Sequence, residues 1–275
     1  MIIPSITKVE ILSPGKYRIS WEYPVTVEDI SIYKYTLYRS TGGGTDTGEP
    51  VTSFNHLRYY VDENNIKKVW ADLYYRIEVE NTVTKEVDKG RWCLMSTAPD
   101  LEAMEIVRRN NILLSNPRRG IGVPVAVFKL KTIGPHCPDC WDFNKQKIRS
   151  SNCDSCYKTG IVGGYYEPVI SWANLTPPAK QVQIPQWGEM EANEIRIFMS
   201  NDPVVNPKDL IYVQSRNCFY SVEQVETTTR RDFILHQLVA ASGIERSSIV
   251  YNLLKEYPDL NKRLLHKTEH IKTGV

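Results

Sequence analysis

Short segments in which apolar and polar residues alternate dominate the first hundred positions. Each segment is five to eight residues long, and most are followed by a turn rich in Pro, Gly or Asn. This pattern is typical of β-strands with one buried face. The strands predicted from it are 6–11, 17–21, 35–39, 57–61, 73–80 and 90–95. Their size and spacing predict a sandwich of two sheets over residues 1–96.

The pattern changes to helical spacing over residues 100–114. The apolar residues near one face of this segment are Leu101, Met104, Val107 and Leu114. Pro117 ends the pattern, because a proline disfavours helical backbone in the residue before it. We therefore expect a helical connector over residues 97–120 that packs against a neighbouring domain or subunit.

Strand patterns return in the second half of the chain. The predicted strands are 123–130, 165–171, 194–199, 209–214, 218–225 and 233–240. They predict a small β-barrel, or alternatively a sandwich, over residues 121–242. Residues 243–275 have the pattern of a helical tail, and we expect its mixed-charge end to order only against a partner. The predicted fold class is thus mainly β, with a short C-terminal helix.

Two C-x-x-C pairs give the most specific chemical signal in the sequence. Cys137 and Cys140 form the first pair, Cys153 and Cys156 form the second, and twelve residues separate them. Each pair presents two sulfurs from one tight turn, so four thiolates can surround a tetrahedral Zn²⁺ with Zn–S distances of about 2.3 Å. A shell of four sulfurs has no open position, so we expect a structural ion. The segment around it, about residues 134–166, is called the cysteine loop below.

Three alternatives to a zinc site stay open. Four cysteines also hold iron in rubredoxin-like sites, and His136, next to the first pair, could replace one sulfur. The third alternative is a set of four unrelated reduced thiols. Cys93 and Cys218 stand alone in the sequence, and we expect both to be small core residues.

Composition and charge exclude several classes of protein. Apolar residues make up 41% of the chain and charged residues 24%, as in ordinary globular proteins and unlike disordered ones. The net charge of +2 is too small for a general nucleic-acid or membrane-surface binder. No apolar run is long enough for a membrane helix and the first residues lack a signal-peptide pattern, so we expect synthesis and folding in the cytoplasm.

The sequence lacks the motifs of common catalytic sites. It contains no G-x-S-x-G, P-loop, H-E-x-x-H or dinucleotide-binding fingerprint. Glycines 42–44 lie in a predicted hairpin and do not precede a helix, so phosphate binding is not expected. The scattered histidines are His56, His136, His236, His266 and His270. We therefore expect no catalytic residues, no small-molecule substrate and no enzymatic activity.

The N-terminal segment resembles a fibronectin type III domain. The resemblance rests on residues 19–21 (ISW), 35–39 (YTLYR) and 75–81 (YRIEVEN). The residues that it places in the core are Trp21, Tyr75, Ile77 and Val79. Leu73 stands where the family usually carries its corner tyrosine, so that hydrogen bond should be absent. Such domains are usually adhesive or spacing units without chemistry of their own.

The second half resembles the barrel of tailed-phage head-closure and neck proteins. The resemblance rests on residues 206–213 (NPKDLIYV) and 219–225 (FYSVEQV), with 233–238 as the closing strand. Residues 137–168 are similar to a cysteine knob of phage structural proteins of unassigned role. The resemblance implies a virion structural protein at the neck or head–tail junction, synthesised in the host cytoplasm and forming a homo-oligomeric ring.

This resemblance also implies partners. They are copies of the chain itself and neighbouring virion proteins such as portal, adaptor or tail proteins. DNA contact in a channel, with Arg118 and Arg119 as candidates, is left open. A membrane partner is not expected.

Three other functions would fit the same patterns. One is a baseplate, fibre or surface-binding virion protein whose fibronectin-like module contacts a receptor or glycan. Another is a nucleic-acid-binding zinc-ribbon protein, and the third is an oligonucleotide-binding or SH3-like barrel of unrelated function. Basic and acidic residues balance around the cysteines, so no net positive face is predicted there. These residues are Lys145, Lys147, Arg149, Asp139, Asp142 and Asp154.

Overall fold

The computed structural model describes most of the chain. The described residues are 3–13, 15–24, 32–41, 48–54, 57–63, 73–94, 100–116, 120–149, 152–176, 194–231 and 233–269. The structure is mainly β and divides into two compact units, the first formed by residues 1–104, 132–136 and 231–233 and the second by the others. Within the described ranges, no helix is long and apolar enough to cross a membrane.

Two antiparallel sheets form the first unit. Its strands are β1 (Ser5–Ser13), β2 (Lys16–Glu22), β3 (Tyr33–Ser40), β4 (Glu49–Phe54), β5 (Tyr59–Glu63), β6 (Tyr74–Asn81), β7 (Val87–Lys89) and β8 (Cys93–Leu94). One sheet has the order β1-β2-β5, and the other has the order β4-β3-β6-β7, with β8 also paired to β6. Each strand predicted for this region overlaps an observed one, whereas β4 and β7 are missing from the sequence prediction.

Buried aromatic side chains connect these two sheets. Trp21 of β2 stacks on Phe54 of β4 with ring centroids 4.4 Å apart, and its indole N–H donates to the carbonyl of Leu57 at 2.8 Å. The residues expected in the core are all buried: Trp21, Tyr75, Ile77 and Val79. The indole is thus both packed and hydrogen-bonded, as a buried tryptophan requires.

Helix α1 (Leu101–Ser115) follows the eighth strand. Asp100 caps its start, because its carboxylate accepts a hydrogen bond from the amide of Ala103 at 3.0 Å. In the part of the helix that belongs to the second unit, Val107 and Leu114 are buried, and Asn110 donates to the carbonyl of Leu235 at 3.3 Å. These contacts attach the C-terminal half of α1 to the second unit.

A closed six-stranded barrel is the centre of the second unit. The strands of this unit are β9 (Val123–Phe128), β10 (Trp141–Asp142), β11 (Lys147–Ile148), β12 (Val169–Thr176), β13 (Glu194–Met199), β14 (Leu210–Val213), β15 (Cys218–Arg230) and β16 (Phe233–Gly243). The order around the barrel is β9-β12-β13-β16-β15-β14, and β10 pairs with β11 outside it. The predicted barrel is confirmed, although β12 begins four residues later than predicted.

Strands β9 and β14 are buried on both faces. Val127 and Ile211 belong to the cluster that fills the barrel, whereas their neighbours Phe128 and Tyr212 belong to a second cluster. Successive side chains on a strand point to opposite faces, so this second cluster lies on the outside of the barrel. Burial on both faces explains why these segments are continuous apolar runs.

The C-terminal segment covers this outer face. It contains a short 3-10 helix (Ile249–Asn252), α2 (Leu253–Glu256) and α3 (Leu260–Glu269). Leu253, Leu260 and Leu264 are buried in the outer cluster. The expectation that the tail orders only against a partner is wrong for this part, because its own barrel buries its apolar side chains.

Lys129 and Asp209 form a buried ion pair in the second unit. The ammonium of Lys129 bonds to the carboxylate of Asp209 and donates to the carbonyl of Val204 at 2.8 Å. Asp209 also accepts hydrogen bonds from the amides of Leu130 at 2.9 Å and Asn206 at 2.7 Å. The pair therefore fixes the end of β9 to the turn that precedes β14.

Candidate metal centre

The four cysteines lie in the connection between β9 and β12, which are antiparallel neighbours in the barrel. Backbone hydrogen bonds close the base of this connection. The amide of Lys131 donates to the carbonyl of Gly164 at 3.0 Å, and the amide of Tyr166 donates to the carbonyl of Lys129 at 2.9 Å. The cysteine loop is thus an extension of a barrel hairpin, as the sequence pattern predicts.

Both cysteine pairs lie in turns of the same construction. The amide that follows the first pair, in Trp141, donates to the carbonyl of Cys137 at 3.0 Å, and the amide of Tyr157 donates to the carbonyl of Cys153 at 3.0 Å. A further bond from the Cys137 amide to the Gly160 carbonyl, at 2.9 Å, connects the two halves of the loop. This backbone arrangement brings the two pairs of sulfurs together.

The sulfur positions fit one tetrahedral ion. All four Sγ atoms lie within 4.8 Å of one another, with 3.6 Å between Cys137 and Cys153 and 3.2 Å between Cys140 and Cys156. Sulfurs about 2.3 Å from a tetrahedral Zn²⁺ would be about 3.8 Å apart. A disulfide would need about 2.05 Å, and all four cysteines are free thiols. The four cysteines can therefore bind a metal ion.

Burial makes a cation at this position more favourable. The four cysteines are at most 7% exposed, and Ile148 is the one hydrophobic residue packed against them in the described part of the chain. Burial raises the pKa of the Cys140 thiol well above its usual value, since a thiolate without a counter-charge is costly in such a site. A bound metal ion would supply that charge.

Local packing shapes the loop around the sulfurs. β10 and β11 form a small hairpin, and Asp142 accepts hydrogen bonds from the amides of Asn144 and Lys145 at its turn. The Arg149 guanidinium, 3.2 Å from Asp142, lowers the pKa of that carboxyl. Gly160 has φ +79° and an added Cβ would lie 3.0 Å from the Trp141 ring, so any other residue would be strained there.

Contacts to the C-terminal segment hold the second half of the loop. Tyr157 is buried in the outer cluster, and its hydroxyl donates to the carboxylate of Glu256. The amide of the Asn252 side chain donates to Asp154 at 2.7 Å. Sequence reasoning missed these residues, because nearly a hundred positions separate the partners and no motif marks them.

The structure does not bring the other candidate residues to the sulfurs. His136 is exposed and lies outside the four-cysteine cluster. Cys93 and Cys218 are only partly buried. Cys218 packs against the cluster that fills the barrel, so the expectation of a small core residue holds in part at that position. Several other candidates lie outside the described residues, namely Arg118, Arg119, glycines 42–44, His56, His270 and the side chain of His266.

The acidic residues of the loop are engaged in contacts, whereas two lysines are exposed. Asp139 accepts a hydrogen bond from Ser155 at 2.7 Å. Lys145 and Lys147 are exposed at the end of the β10–β11 hairpin, next to Phe143, which is 66% exposed. The end of this hairpin thus combines two exposed lysines with an exposed aromatic ring.

The geometry of this centre supports metal binding but does not identify a protein family. Four buried sulfurs around one tetrahedral ion fill its coordination shell. Comparisons with known proteins agree in assigning no family: no protein-family model matches the chain, and no curated protein matches it significantly.

Proposed function

We propose that this chain is a structural protein of a tailed-phage virion, located at the neck or head–tail junction, where it forms a homo-oligomeric ring. The observation that carries the proposal is a closed six-stranded barrel bearing a four-cysteine loop between two of its strands. The barrel occupies the residues that resemble head-closure and neck proteins. The proposal assigns the chain an assembly role and no catalytic reaction.

The metal in this proposal is Zn²⁺. A site of four thiolates in tetrahedral arrangement is the usual structural zinc site, and iron is the alternative that uses the same ligands. Purified protein should contain one zinc per chain by elemental analysis. Cys140→Ser should lose it, whereas Cys93→Ser, the matched control outside the cluster, should retain it. Detection of iron instead of zinc, with the absorption bands of a ferric tetrathiolate, would contradict the assignment of zinc.

Stiffening of a protruding segment is the role we give to the ion. The cysteine loop has four cysteines and Ile148 as its small internal core, so apolar burial alone holds it weakly. Its hairpin from β10 to β11 exposes Phe143 to solvent. A fixed hairpin of this kind can serve as a contact for neighbouring virion proteins, such as portal, adaptor or tail proteins.

For the N-terminal unit we propose a fibronectin type III-like sandwich that acts as a spacing or adhesive module. Support comes from the buried Trp21 on β2 and from its stacking with Phe54 on the other sheet. The module has its own buried residues, which include Tyr35, Leu37, Tyr75 and Val79. Its role is separable from that of the barrel.

The virion proposal is tested on particles and on recombinant protein. Mass spectrometry of purified virions should detect the chain in several copies per particle, and electron microscopy of the recombinant protein should show annular oligomers. Absence from virions, together with no annular species at any concentration, would contradict the proposal.

Nucleic-acid binding is a second candidate function, favoured by the end of the β10–β11 hairpin. An exposed aromatic ring, Phe143, beside two exposed lysines, Lys145 and Lys147, combines base stacking with phosphate attraction. Single-stranded DNA should then bind at low salt, and Lys145→Glu/Lys147→Glu should abolish binding. Lys208→Glu/Lys255→Glu changes the net charge equally at exposed sites outside the hairpin and should bind normally. Equal loss in both variants would indicate general charge attraction only.

A further inference from the structure

Strand β15 extends well beyond its neighbour in the barrel. It runs over Cys218–Arg230, but β14 pairs only with its residues 218–221, and Val222 exchanges two further backbone hydrogen bonds with Lys208 and Asp209. Beyond Val222, no strand in the described part of the chain pairs with this edge. The edge formed by residues 223–229 is exposed except at Val225, which is partly buried. It is called the β15 edge below.

The direction of the backbone amides along this edge follows from the side chains. Val222 points into the barrel and turns its N–H and C=O toward β14. On one strand, residues with side chains on the same face turn their amides to the same side. Val225 lies three residues after Val222 and also packs on the barrel interior, so an extra residue interrupts the regular alternation between them. Alternation resumes from Val225, and Val225, Thr227 and Thr229 therefore turn their amides to the β15 edge.

The edge and the turn after it have a charge pattern with two halves. Glu223 and Glu226 lie in the first half, whereas Arg230 and Arg231 lie at its end, and all four are exposed. Three threonines, residues 227–229, separate the acidic half from the basic half. Threonine is β-branched and favours extended backbone, so the edge is well suited to strand pairing.

A second copy of the same edge in antiparallel orientation complements this pattern. When Thr228 of one copy lies opposite Thr228 of the other, Glu226 of each strand lies opposite Arg230 of its partner, and the threonines meet in the middle. Glu223 then lies beyond the arginines of the partner strand. Opposite charges facing each other across strands stabilise a pair, and like charges destabilise it. Parallel pairing in register would place acid against acid and base against base.

We propose that two copies of this chain associate by antiparallel pairing of their β15 edges across a two-fold axis. An exposed strand edge is a ready template for another strand, and the charge pattern selects a second copy over an uncharged or singly charged segment. This contact does not rest on the proposed ring: a two-fold contact closes on itself, whereas a ring repeats a head-to-tail contact around an axis.

Sedimentation of the full-length protein tests the pairing. The contact is small, so we expect a weak two-chain species with a Kd on the order of 100 μM. Glu223→Lys/Glu226→Lys makes the edge wholly basic and Arg230→Glu/Arg231→Glu makes it wholly acidic, so each variant alone should associate at least about tenfold more weakly. An equimolar mixture of the two should restore association, now between unlike chains.

Restoration in the mixture distinguishes the pairing from a folding defect. Two misfolded variants would not recover when mixed, and circular dichroism of each should match the wild-type protein. Wild-type protein without two-fold association up to about 500 μM, or variants that associate like wild type, would overturn the proposal. If rings also form, the variants should separate paired rings and leave single rings intact, so failure of one proposal is distinguishable from failure of the other.

A backbone test complements the charge test. Thr227→Pro removes the N–H that we place on the β15 edge, whereas Thr227→Ala removes the same side chain and retains that N–H. The proline variant should lose association and the alanine variant should keep it. Equal behaviour of the two variants, with both folded, would overturn pairing through the backbone.

Discussion

The barrel and residues 137–166 of the cysteine loop belong to one unit but are stabilised in different ways. The barrel is closed by backbone ladders and filled by an interior apolar cluster that includes Val127, Ile197 and Val239. The cysteine loop has two short strands, and its buried centre consists of four sulfurs with Ile148 beside them. Apolar burial can therefore account for the stability of the barrel, whereas we expect the loop to depend on a bound ion.

Because of this difference, we expect the barrel and the loop to be sensitive to different changes. Removing a methyl group from the barrel weakens the whole unit, because strands from distant parts of the sequence share one core. Removing the ion affects the loop first, because the base of the loop is held by backbone bonds to the barrel and by Tyr157 in the outer cluster.

Loss of one sulfur should have the largest effect and should be local. Cys156→Ser removes one of four ligands, and structural zinc sites contribute about 10 kcal/mol or more of apparent binding free energy at neutral pH. We expect loss of the metal and rapid proteolysis within residues 137–164, while the far-ultraviolet circular dichroism of the barrel persists. Cys218→Ser is the control. Loss of the whole fold in Cys156→Ser alone would show that the barrel also depends on the ion.

Breaking the buried ion pair should damage the barrel and spare the metal. Lys129→Met leaves the Asp209 carboxylate buried without its ammonium partner, which typically costs about 3–5 kcal/mol of the free energy of unfolding. Urea denaturation measures this loss. Lys208→Met, at an exposed lysine close to Asp209 in sequence, should change it by less than about 0.5 kcal/mol. A Lys129→Met protein as stable as wild type would contradict the structural role of the pair.

Truncation in the barrel interior should have a somewhat smaller effect. Ile197 is fully buried in the interior cluster, and Ile197→Ala should lower the free energy of unfolding by about 3 kcal/mol. The metal content should stay at one ion per chain, because the loop does not depend on this cluster. Measured stability and elemental analysis of the same sample test both statements, and loss of metal would show that the two regions are coupled.

The connection between the loop and the C-terminal segment should contribute less. Tyr157→Phe removes a hydroxyl that donates to Glu256 and retains the buried ring, so we expect a loss of about 1–2 kcal/mol. Hydrogen exchange should increase in both the loop and α2. Tyr166→Phe, at a partly buried tyrosine in the same connection, is the control. An effect confined to the loop would show that the contact does not hold the tail.

Ionisation of the buried Tyr165 phenol should lower stability only at high pH and leave stability near neutrality unchanged. Burial, with a smaller contribution from Asp209, raises the pKa of Tyr165 to about 12. The unfolded chain ionises this phenol near pH 10, so the neutral form stabilises the fold below pH 10, and that contribution is lost as the pH rises from 10 to 12. Denaturation at pH 9 and pH 11 should therefore separate wild type from Tyr165→Phe only at the higher pH. If wild type and Tyr165→Phe had the same pH dependence, Tyr165 would have to be solvated, and the prediction would be wrong.

Local patterns in the sequence predict much of this fold. Alternation of apolar and polar residues predicts the strands that are buried on one face. Continuous apolar runs mark β9 and β14, because both faces of these two strands are buried. Helical spacing predicts α1 and its end before Pro117. The metal site is predictable for a similar reason, since each C-x-x-C pair is a local turn and the four ligands span only twenty residues.

Long-range contacts are not predictable in this way. The sequence gives no sign that Tyr157 meets Glu256, or that Leu260 and Leu264 cover the barrel, because partners far apart in the chain carry no shared motif. The short strands β4 and β7 are missed because exposed residues such as Glu49 and Val87 break the alternation. Tertiary context decides such cases.

Hydrogen exchange on the metal-bound and the chelator-treated protein tests the central comparison most directly. Our account predicts that removal of the ion abolishes protection of amides within residues 137–164, such as those of Cys137 and Arg149, and leaves the amides of β13 and β16 protected. Unchanged protection of the loop after complete metal removal would contradict the account, because the four sulfurs would then hold their arrangement without an ion.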